Sequence, residues 1–458
     1  MNAIGLDIGT TTICAIVVDT ETGAVKKTIT DKNDTVISGA PFERLQDPKR
    51  ILEKVTIITA ELCTEFAPIA CIGITGQMHG IVYLNKDGNP VSPLYIWQDE
   101  SGNESYRDGR TYAEYLSDLT GYSMAAGFGL TTAFYHVCNS LIPKDAAVFC
   151  TIHDFISMKL TGRTSPFIHS SDAASFGLFD LKNNQFDRNA AEKANIPLSL
   201  LPEIGTDNQI QGYYDGSIPV ALAIGDNQAS YLGSVCNLKD CVLVNVGTGS
   251  QISFIQPDGS SQTAGMELRP CATEKTLSVG SSLCGGRAFA VLEQFFRQTA
   301  EMVTGNVCQS AYPGMDRMLE SLTEYESSLT VYTRFCGTRT NPEERGYVQN
   351  LGLQNFTPKD MTLGVLHGIA DELYEMFEKA DEQAKSACKT LIGSGNGLRQ
   401  TPALQRILEQ KFGLKLHIPA HKEEAAYGAV LFALVACGCF DSIEKAQKMI
   451  RYLEETVL

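Results

Sequence analysis

The sequence lacks an apolar run long enough to cross a membrane. Its longest apolar stretch, residues 425–440, is shorter than the ~20 residues that a spanning helix needs, and it predicts a buried helix instead. Asp7 interrupts the first apolar run, so the N-terminus also lacks the pattern of a secretory signal peptide. We therefore expect a cytoplasmic protein.

The chain has fewer basic than acidic residues. The chain has 37 lysines and arginines against 53 aspartates and glutamates, which gives a formal net charge of −16 at pH 7. Nucleic acids and anionic membrane surfaces select for basic proteins, so this balance predicts neither kind of partner. An anionic substrate must then be held by a local arrangement of donors.

Zinc-type cysteine spacing is absent, although the chain contains 14 cysteines. Cys437 with Cys439, and Cys236 with Cys241, lack the paired spacing of a zinc site. We predict free thiols in a reducing cytoplasm. A chain of 458 residues can bury cores of real size, so it does not need disulfides for stability.

A strand–turn–strand pattern occurs twice in the sequence. Alternating apolar residues precede the turn Gly9–Thr12, and a second β-rich run follows it. The same order returns around the turn Gly247–Ser250. In each half a later strand, 69–74 or 390–392, runs into a short polar and glycine segment. The repeat is of domain size rather than a short solenoid period.

Two α/β halves follow from this repeat, and we place them at residues 1–235 and 236–458. No long proline- or serine-rich linker marks the join. Helices lie between the strands: apolar residues share one helical face over 366–387, and Thr401 with Pro402 predicts the start of another helix. Alternating strands and helices predict the α/β class.

The two turns of small residues can bind phosphate, because backbone N–H groups become accessible and threonine hydroxyls add donors. Related turns in both halves can hold the phosphates of one nucleotide between them. Neither turn has the Walker A pattern, so we predict a nucleotide site of another type. Each turn taken alone is equally consistent with a plain hairpin turn.

Two aspartates stand at predicted strand ends. Asp7 precedes the first turn and has the neutral counterpart Asn245, so only one half would hold Mg²⁺, directly or through water. Asp226 follows the apolar run 219–224 and suits a general base at a cleft. Turn capping is the plain alternative for both residues.

A set of side chains suited to a polyol follows two apolar runs. Polyol recognition needs amide and carboxylate groups beside a flat apolar wall. Gln77 and His79 follow the first run, and Asp99 and the only tryptophan, Trp97, follow the second. Each of the four, taken alone, is also consistent with a satisfied core residue.

At these residues the chain resembles the FGGY family of carbohydrate kinases, within the actin/hexokinase/Hsp70 superfamily, over nearly its whole length. Runs 7–12 and 246–249 resemble the two phosphate motifs, 392–396 resembles the adenosine motif, and 424–429 resembles the start of the C-terminal helix. Each motif alone is weak evidence for the family, whereas the four together are specific to it. The resemblance implies two RNase-H-like domains with an interdomain cleft.

The resemblance also implies that ATP, with Mg²⁺, phosphorylates the terminal hydroxyl of a sugar. Asp226 would be the catalytic base, and Asp7 would organise the Mg-nucleotide. The residues implied to line the sugar site are Gln77, Met78, His79, Trp97, Asp99, Asp226 and Asn227. The residues implied to bind ATP are Gly9, Thr10, Thr11, Thr12, Gly247, Thr248, Gly249, Gly285, Gly286, Gly395 and Asn396.

The sugar is implied by the finer motifs. Run 77–80 is similar to family members that act on xylulose and sedoheptulose, and runs 97–99, 225–230 and 279–286 favour sedoheptulose, which would become sedoheptulose 7-phosphate. One departure stands out. The family usually has an arginine soon after the aromatic-and-Asp motif, whereas Arg107 and Arg110 are the nearest arginines after Asp99 here.

Three alternatives remain open. The first is D-xylulose or another ketose or polyol as substrate. The second is a non-enzymatic nucleotide switch of the actin or Hsp70 kind, and the third is a sugar sensor without turnover. A homodimer is compatible with the sequence.

Overall fold

The chain folds into two units that are each discontinuous in sequence. The computed structural model describes residues 1–258, 263, 265–338, 341 and 343–453. Among these residues, unit 1 contains Met1–Gly233, Arg269–Lys275 and Glu423–Ile450, and unit 2 contains those of Ser234–Leu268, Thr276–Lys422 and 451–453. The boundary expected at residues 235 and 236 lies two residues after the first of these transitions. Segments 269–275 and 423–450, which we placed in the second half, pack with unit 1.

Strands and helices alternate along both units. The strands are β1 Asn2–Ile8, β2 Thr12–Asp19, β3 Val25–Lys32, β4 Val36–Ile37, β5 Leu45–Gln46, β6 Ile69–Gly76, β7 Val82–Leu84, β8 Leu94–Tyr95, β9 Val148–Cys150, β10 Phe167–His169, β11 Phe179–Asp180, β12 Gln185–Phe186, β13 Glu203–Gly205, β14 Ile210–Tyr214, β15 Ile218–Ala221, β16 Ile224–Gly225, β17 Cys241–Val246, β18 Ser250–Gln256, β19 Glu267–Cys271, β20 Lys275–Ser282, β21 Thr330–Tyr332, β22 Tyr347–Gln349, β23 Thr390–Ser394 and β24 Leu416–His417. The helices are α1 Pro48–Glu65, α2 Tyr112–Thr120, α3 Gly129–Cys138, α4 Ile152–Leu160, α5 Ser170–Ser175, α6 Arg188–Lys193, α7 Asp226–Ser234, α8 Gly285–Thr304, α9 Tyr312–Glu320, α10 Pro358–Glu378, α11 Glu382–Ala387, α12 Asn396–Arg399, α13 Pro402–Phe412, α14 Glu424–Ala436 and α15 Ile443–Gln447, with 3₁₀ turns at Ser101–Asn103 and Leu198–Leu200.

The main sheet of unit 1 has the spatial order β14–β15–β6–β1–β2–β3, with β16 also paired to β6. Strand β1 is antiparallel to β2 and parallel to β6, which confirms the predicted hairpin and the strand that follows it. The central strands are buried on both faces, as expected where helices cover a sheet.

Helix α14 packs directly on the middle of this sheet. A Cβ added to Gly5 on β1 would lie 2.2 Å from the carbonyl oxygen of Ala426, and one added to Gly73 on β6 would lie 2.0 Å from that of Ala429. The two glycines therefore allow helix and strand backbones to touch. This close packing confirms a buried helix over most of the long apolar stretch, although α14 ends at Ala436 and residues 437–440 lie beyond it.

Unit 2 repeats the arrangement of unit 1. Its sheet contains β20–β18–β17–β23–β24 in spatial order, with β17 antiparallel to β18 and parallel to β23. Thus β17 and β23 correspond to β1 and β6, as the repeat predicted. The α/β class and the two-part architecture are confirmed.

One local prediction needs correction, and another is confirmed. The face predicted over residues 366–387 belongs to two helices, because α10 ends at Glu378 and the Asp381 side chain caps α11 by accepting a hydrogen bond from Ala384 N. Thr401 is the N-cap of α13 and Pro402 is in its first turn, as predicted, but the Thr401 side chain makes no capping bond.

Two predictions about the chain as a whole can be compared with the structure. None of the 14 cysteines forms a disulfide, in agreement with the prediction of thiols. Within the described residues, no helix has both the length and the apolar character that crossing a bilayer requires.

Candidate active site

Asp7 lies at the carboxyl end of β1, opposite Thr75 of the parallel strand β6. Burial raises the pKa of Asp7 to about 7, and the neighbouring carboxylates Asp226 and Glu423 add to the rise. Glu423, which immediately precedes α14, was missed at the sequence level because nothing in the local pattern brings residue 423 to residue 7. Both neighbouring carboxylates are therefore near enough to act on the charge of Asp7 within unit 1.

Asp226 is the first residue of α7, directly after β16. Strand β16 runs parallel to β6, with Gly225 opposite Gly76, so Asp226 emerges at the same sheet edge as Asp7. Burial raises the pKa of Asp226, while His153, Arg269 and the N–H of Asn227 lower it in part. The structure therefore brings the two predicted catalytic aspartates together.

The turn after β1 is bound to predicted sugar-site residues. The Thr10 hydroxyl donates to Gln77 Oε1 at 3.0 Å and accepts from Trp97 Nε1 at 2.9 Å. Gln46 Nε2 donates to the Thr10 carbonyl at 2.8 Å, and Gln77 Nε2 donates to Gln46 Oε1 at 2.9 Å. Gly9 and Thr10 are half-buried, and Thr11 and Thr12 are exposed. Gln46 was not predicted, since it lies 31 residues from Gln77.

Met78 and His79 occupy the turn after β6. The backbone of His79 has a left-handed φ of 72°, and its N–H donates to Ser175 Oγ at 3.1 Å. Its Nδ1 lies 2.7 Å from the Ser175 carbonyl oxygen, so Nδ1 carries the proton, and the ring stacks on Phe128 at 4.7 Å between centroids. Met78 is buried, and its thioether packs against Gly225, next to Asp226.

Asp99 and Trp97 differ in exposure. Trp97 is 44% exposed, whereas Asp99 is 1% exposed and accepts hydrogen bonds from the Ser101 hydroxyl and from the backbones of Ser101 and Arg44. Burial raises the pKa of Asp99 even though these bonds lower it in part. The carboxylate of Asp99 thus joins its own loop to the backbone of Arg44. Its role in sugar binding stays a prediction.

Arg44 is the arginine that the structure brings to the Trp97–Asp99 loop. Its guanidinium lies 3.5 Å from Glu100, the residue after Asp99. Arg110, one of the two arginines nearest in sequence, instead pairs with Asp118, and Arg107 stacks on Tyr106. Arg44 could not be predicted from the local sequence, because it lies 55 residues from Asp99.

The predicted nucleotide residues of unit 2 converge around the turn between β17 and β18. Gly286 N donates to Gly247 O at 2.9 Å, and Arg287 N donates to Thr248 O at 3.0 Å, so the start of α8 fixes this turn. A Cβ added to Gly285 or Gly286 would lie 2.4 Å from a carbonyl oxygen of the turn.

The loop after β23 reaches the same turn. Gly395 has a left-handed φ of 86°, and an added Cβ would lie 2.5 Å from Val246 O. Asn245 Nδ2 donates to Ser394 Oγ at 2.8 Å, which joins the two strand ends, and Asn396 begins α12. The seven residues of unit 2 predicted to bind ATP thus come from three neighbouring segments.

A buried ionisable cluster lies below the sheet edge and was missed at the sequence level. His153 Nε2 lies 2.9 Å from Asp172 Oδ1, and the Thr151 hydroxyl donates to Asp154 Oδ2 at 2.7 Å. Burial raises the pKa of both carboxyls well above their usual range and lowers that of His153. His153 Nδ1 would lie 3.1 Å from a Cβ added to Gly76, so the ring lies beneath the end of β6.

The donor sets fit ATP and Mg²⁺. At the unit 2 turn Thr248 is exposed, and the nearest atom to a Cβ added to Gly247 is Asn245 Oδ1 at 3.9 Å, so a phosphate oxygen can approach the backbone there. In unit 1, burial first and then the charges of Asp226 and Glu423 disfavour the charged form of Asp7. A bound cation would offset this cost, and carboxylate oxygen is the kind of ligand that Mg²⁺ prefers.

Comparison with known families identifies both halves. Residues 2–233 match the FGGY family of carbohydrate kinases, N-terminal domain, and residues 242–437 match its C-terminal domain.

Individual relatives differ in substrate. The sedoheptulokinase of Homo sapiens is 26% identical over 430 residues, covering 88% of each chain, and the xylulose kinase of Staphylococcus xylosus is 23% identical over 474 residues, covering 98% of this chain and 94% of the other. The crystal structure of Plasmodium falciparum glycerol kinase with ADP has a TM-score of 0.79 at 17% identity, covering 98% of this chain and 92% of that one.

Proposed function

The chain belongs to the FGGY family of carbohydrate kinases, and we propose that it transfers the γ-phosphoryl group of ATP to the terminal hydroxyl of a ketose, sedoheptulose above all. The observation that carries this proposal is the placement of Asp7 and Asp226 at neighbouring strand ends, where the charge of Asp226 helps to raise the pKa of Asp7.

Asp226 is the base in this proposal. As the hydroxyl oxygen of the sugar attacks the γ-phosphorus, its proton passes to the Asp226 carboxylate, and the bond between the γ-phosphorus and the bridging oxygen breaks to release ADP. Burial makes Asp226 more basic than an ordinary aspartate, which suits proton acceptance near neutral pH. His153 and Arg269 favour the ionised form of Asp226 and so limit this rise in its pKa.

Asp7 would hold Mg²⁺, directly or through water, and the metal would neutralise phosphate charge during transfer. The exposed hydroxyls of Thr11, Thr12 and Thr248 and the glycine-lined turns supply uncharged donors to phosphate oxygens. Such donors are needed because the chain as a whole is acidic.

We infer the sugar from the similarity of the chain to other kinases and from the side chains near Asp226. Met78 packs against Gly225, and Gln77, His79 and Trp97 lie on the segments that follow β6 and β8. The sedoheptulokinase relative supports sedoheptulose, and the xylulose kinase relative supports D-xylulose as the second candidate.

The test is sugar-dependent ADP release with MgATP, measured for sedoheptulose, D-xylulose, D-ribulose, L-ribulose, glycerol and ribitol. We expect the highest kcat/KM with sedoheptulose, and phosphorus NMR of the product should show a primary phosphate ester. A higher kcat/KM for another sugar would make that sugar the substrate and would leave the proposed phosphoryl transfer unchanged. ATP binding without turnover on any sugar would favour a non-enzymatic nucleotide switch or a sugar sensor.

A further inference from the structure

A chain of buried hydrogen bonds reaches the backbone beside Asp226. Gly225 N donates to Ser171 Oγ at 3.0 Å, and Ser171 Oγ lies 2.8 Å from His169 Nδ1. His169 is the N-cap of α5, where its Nδ1 also accepts from Ser171 N at 3.1 Å. Ser171 is fully buried and His169 is 2% exposed, so water does not compete for these bonds.

The same histidine continues the chain in the other direction. His169 Nε2 lies 3.0 Å from Asp207 Oδ1, and Asp207 Oδ2 accepts from Thr273 N at 2.8 Å and Glu274 N at 3.3 Å. Thr273 and Glu274 have left-handed φ values of 64° and 55°, which are costly for residues other than glycine. The Asp207 carboxylate therefore stabilises an unusual turn in the segment 269–275.

This series of hydrogen bonds returns to the segment that carries Asp226 and so forms a closed ring. The segment 269–275 returns to α7 through Pro270, whose carbonyl accepts from Gln228 Nε2 at 2.9 Å. Gln228 is two residues after Asp226, and Gly225 is one residue before it. The backbone that carries Asp226 is therefore held on both sides, and Arg269, whose charge acts on Asp226, precedes the anchored proline.

The hydrogen-bond pattern fixes the tautomer of His169. Because Ser171 N–H donates to Nδ1, this nitrogen must present a lone pair, and Nε2 must carry the proton that it donates to Asp207. The Ser171 hydroxyl can then accept from Gly225 N and donate its own proton to Nδ1. Each bond in the ring has a donor and an acceptor.

We propose that His169 is a positioning residue for phosphoryl transfer, holding the backbone of Asp226 through Ser171 and the segment 269–275 through Asp207. The inference rests on the proposed role of Asp226 as base. Its physical basis is that a base displaced by a fraction of an ångström meets the attacking hydroxyl in the wrong geometry. We expect substrate affinity to change little, because most of the residues predicted to bind the sugar or ATP lie on other segments.

The variants are chosen to separate helix capping from positioning. His169→Asn keeps a good N-cap for α5 but is too short to reach Asp207. Ser171→Ala removes the acceptor for Gly225 N, and Asp207→Asn replaces one of two acceptor oxygens. Asp187→Ala is the matched control, because Asp187 caps α6 in the same unit by accepting from Ala190 N at 2.9 Å.

We expect the first three variants to lower kcat roughly ten- to a hundredfold, with KM for ATP and for the sugar changed by no more than about twofold. The Asp187→Ala control should lose comparable thermal stability and keep its kcat. Hydrogen exchange measured by mass spectrometry, on a peptide that contains Gly225, should be faster in His169→Asn than in the control.

Two results would overturn the inference. One is a kcat in all three variants equal to that of Asp187→Ala at similar stability, which would make the ring a structural network only. The other is unchanged exchange at Gly225, which needs no turnover to measure. Failure of the proposed function would show differently: the wild-type protein would release no ADP with any sugar, or Asp226→Asn would retain its rate.

Discussion

Trp97 Nε1 donates a hydrogen bond to the Thr10 hydroxyl at 2.9 Å, and that hydroxyl donates in turn to Gln77 Oε1 at 3.0 Å. One hydroxyl group thus joins the predicted phosphate turn to two residues predicted to contact the sugar. Trp97 is the only tryptophan and is 44% exposed, so its fluorescence reports on this junction.

Thr10→Val should weaken sugar binding, because valine has the shape of threonine without its hydroxyl. Loss of one net hydrogen bond, about 0.5–1.5 kcal/mol, corresponds to a rise in sugar KM of about 2- to 12-fold. The emission of Trp97 should shift to longer wavelength as its N–H turns to water. Thr10→Ser retains the hydroxyl and should behave as wild type; equal defects in the two variants would contradict the assignment.

Asp226→Asn should lower kcat by about 10²–10⁴-fold, the range for loss of a general base. Asparagine is nearly isosteric but cannot accept the proton of the attacking hydroxyl, so calorimetric ATP affinity should stay the same. Asp215→Asn, at an exposed turn of the same unit, is the control and should keep full activity. A near-normal rate in Asp226→Asn would remove Asp226 from the chemistry.

Asp7→Asn should raise the Mg²⁺ concentration needed for half-maximal activity by roughly 10–100-fold. Burial and the carboxylates of Asp226 and Glu423 raise the pKa of Asp7 to about 7, and a bound cation would reverse this by favouring the ionised form. Titrating Mg²⁺ at saturating ATP measures the effect. An unchanged Mg²⁺ requirement would place the metal elsewhere.

Gly286→Ala should raise KM for ATP at least about tenfold. The new Cβ would lie 2.4 Å from Gly247 O and would push the unit 2 turn out of position. Gly314→Ala is the control: it lies in helix α9 with nothing within 4 Å of its added Cβ, and it should stabilise the protein by about 0.5–1 kcal/mol. ATP affinity that stays normal in Gly286→Ala would remove this turn from the nucleotide site.

Asp154→Asn should make stability less dependent on pH. Burial, followed by the charge of Asp172, raises the pKa of Asp154 well above its usual range, so the folded chain keeps a proton that the unfolded chain releases above about pH 4. The contribution of Asp154 to stability therefore falls as pH rises from about 4 toward the folded pKa.

Asparagine does not titrate, so the difference in unfolding free energy between variant and wild type should change in favour of the variant by up to about 1.4 kcal/mol per pH unit. Urea denaturation at pH 5 and pH 7 measures it. Asp87→Asn, at an exposed turn, is the control and should follow the wild-type slope. Parallel slopes for Asp154→Asn and wild type would show that Asp154 is ionised in the fold.

Several features could be predicted because their signals are local. Period-two apolar residues followed by small turn residues predicted both hairpins, and the duplication of this pattern predicted the two units. The same reasoning placed Asp7 and Asp226 at strand ends, where the parallel pairing of β1 and β16 with β6 brings them to one edge. The break between α10 and α11 was missed, since the apolar spacing continues across it while the cap at Asp381 depends on one side chain.

The class of fold, the two turns and the candidate aspartates could be predicted because hydrophobic periodicity and turn chemistry act between residues close in the chain. The distant groups that meet them depend on tertiary packing: Glu423 beside Asp7, Arg44 beside Asp99, and His169 between Gly225 and Asp207. These contacts join residues far apart in sequence, and their partners are fixed by how helices and loops pack on the sheet. Burial then sets the pKa of Asp7 and Asp226, since charged groups are costly where water is excluded.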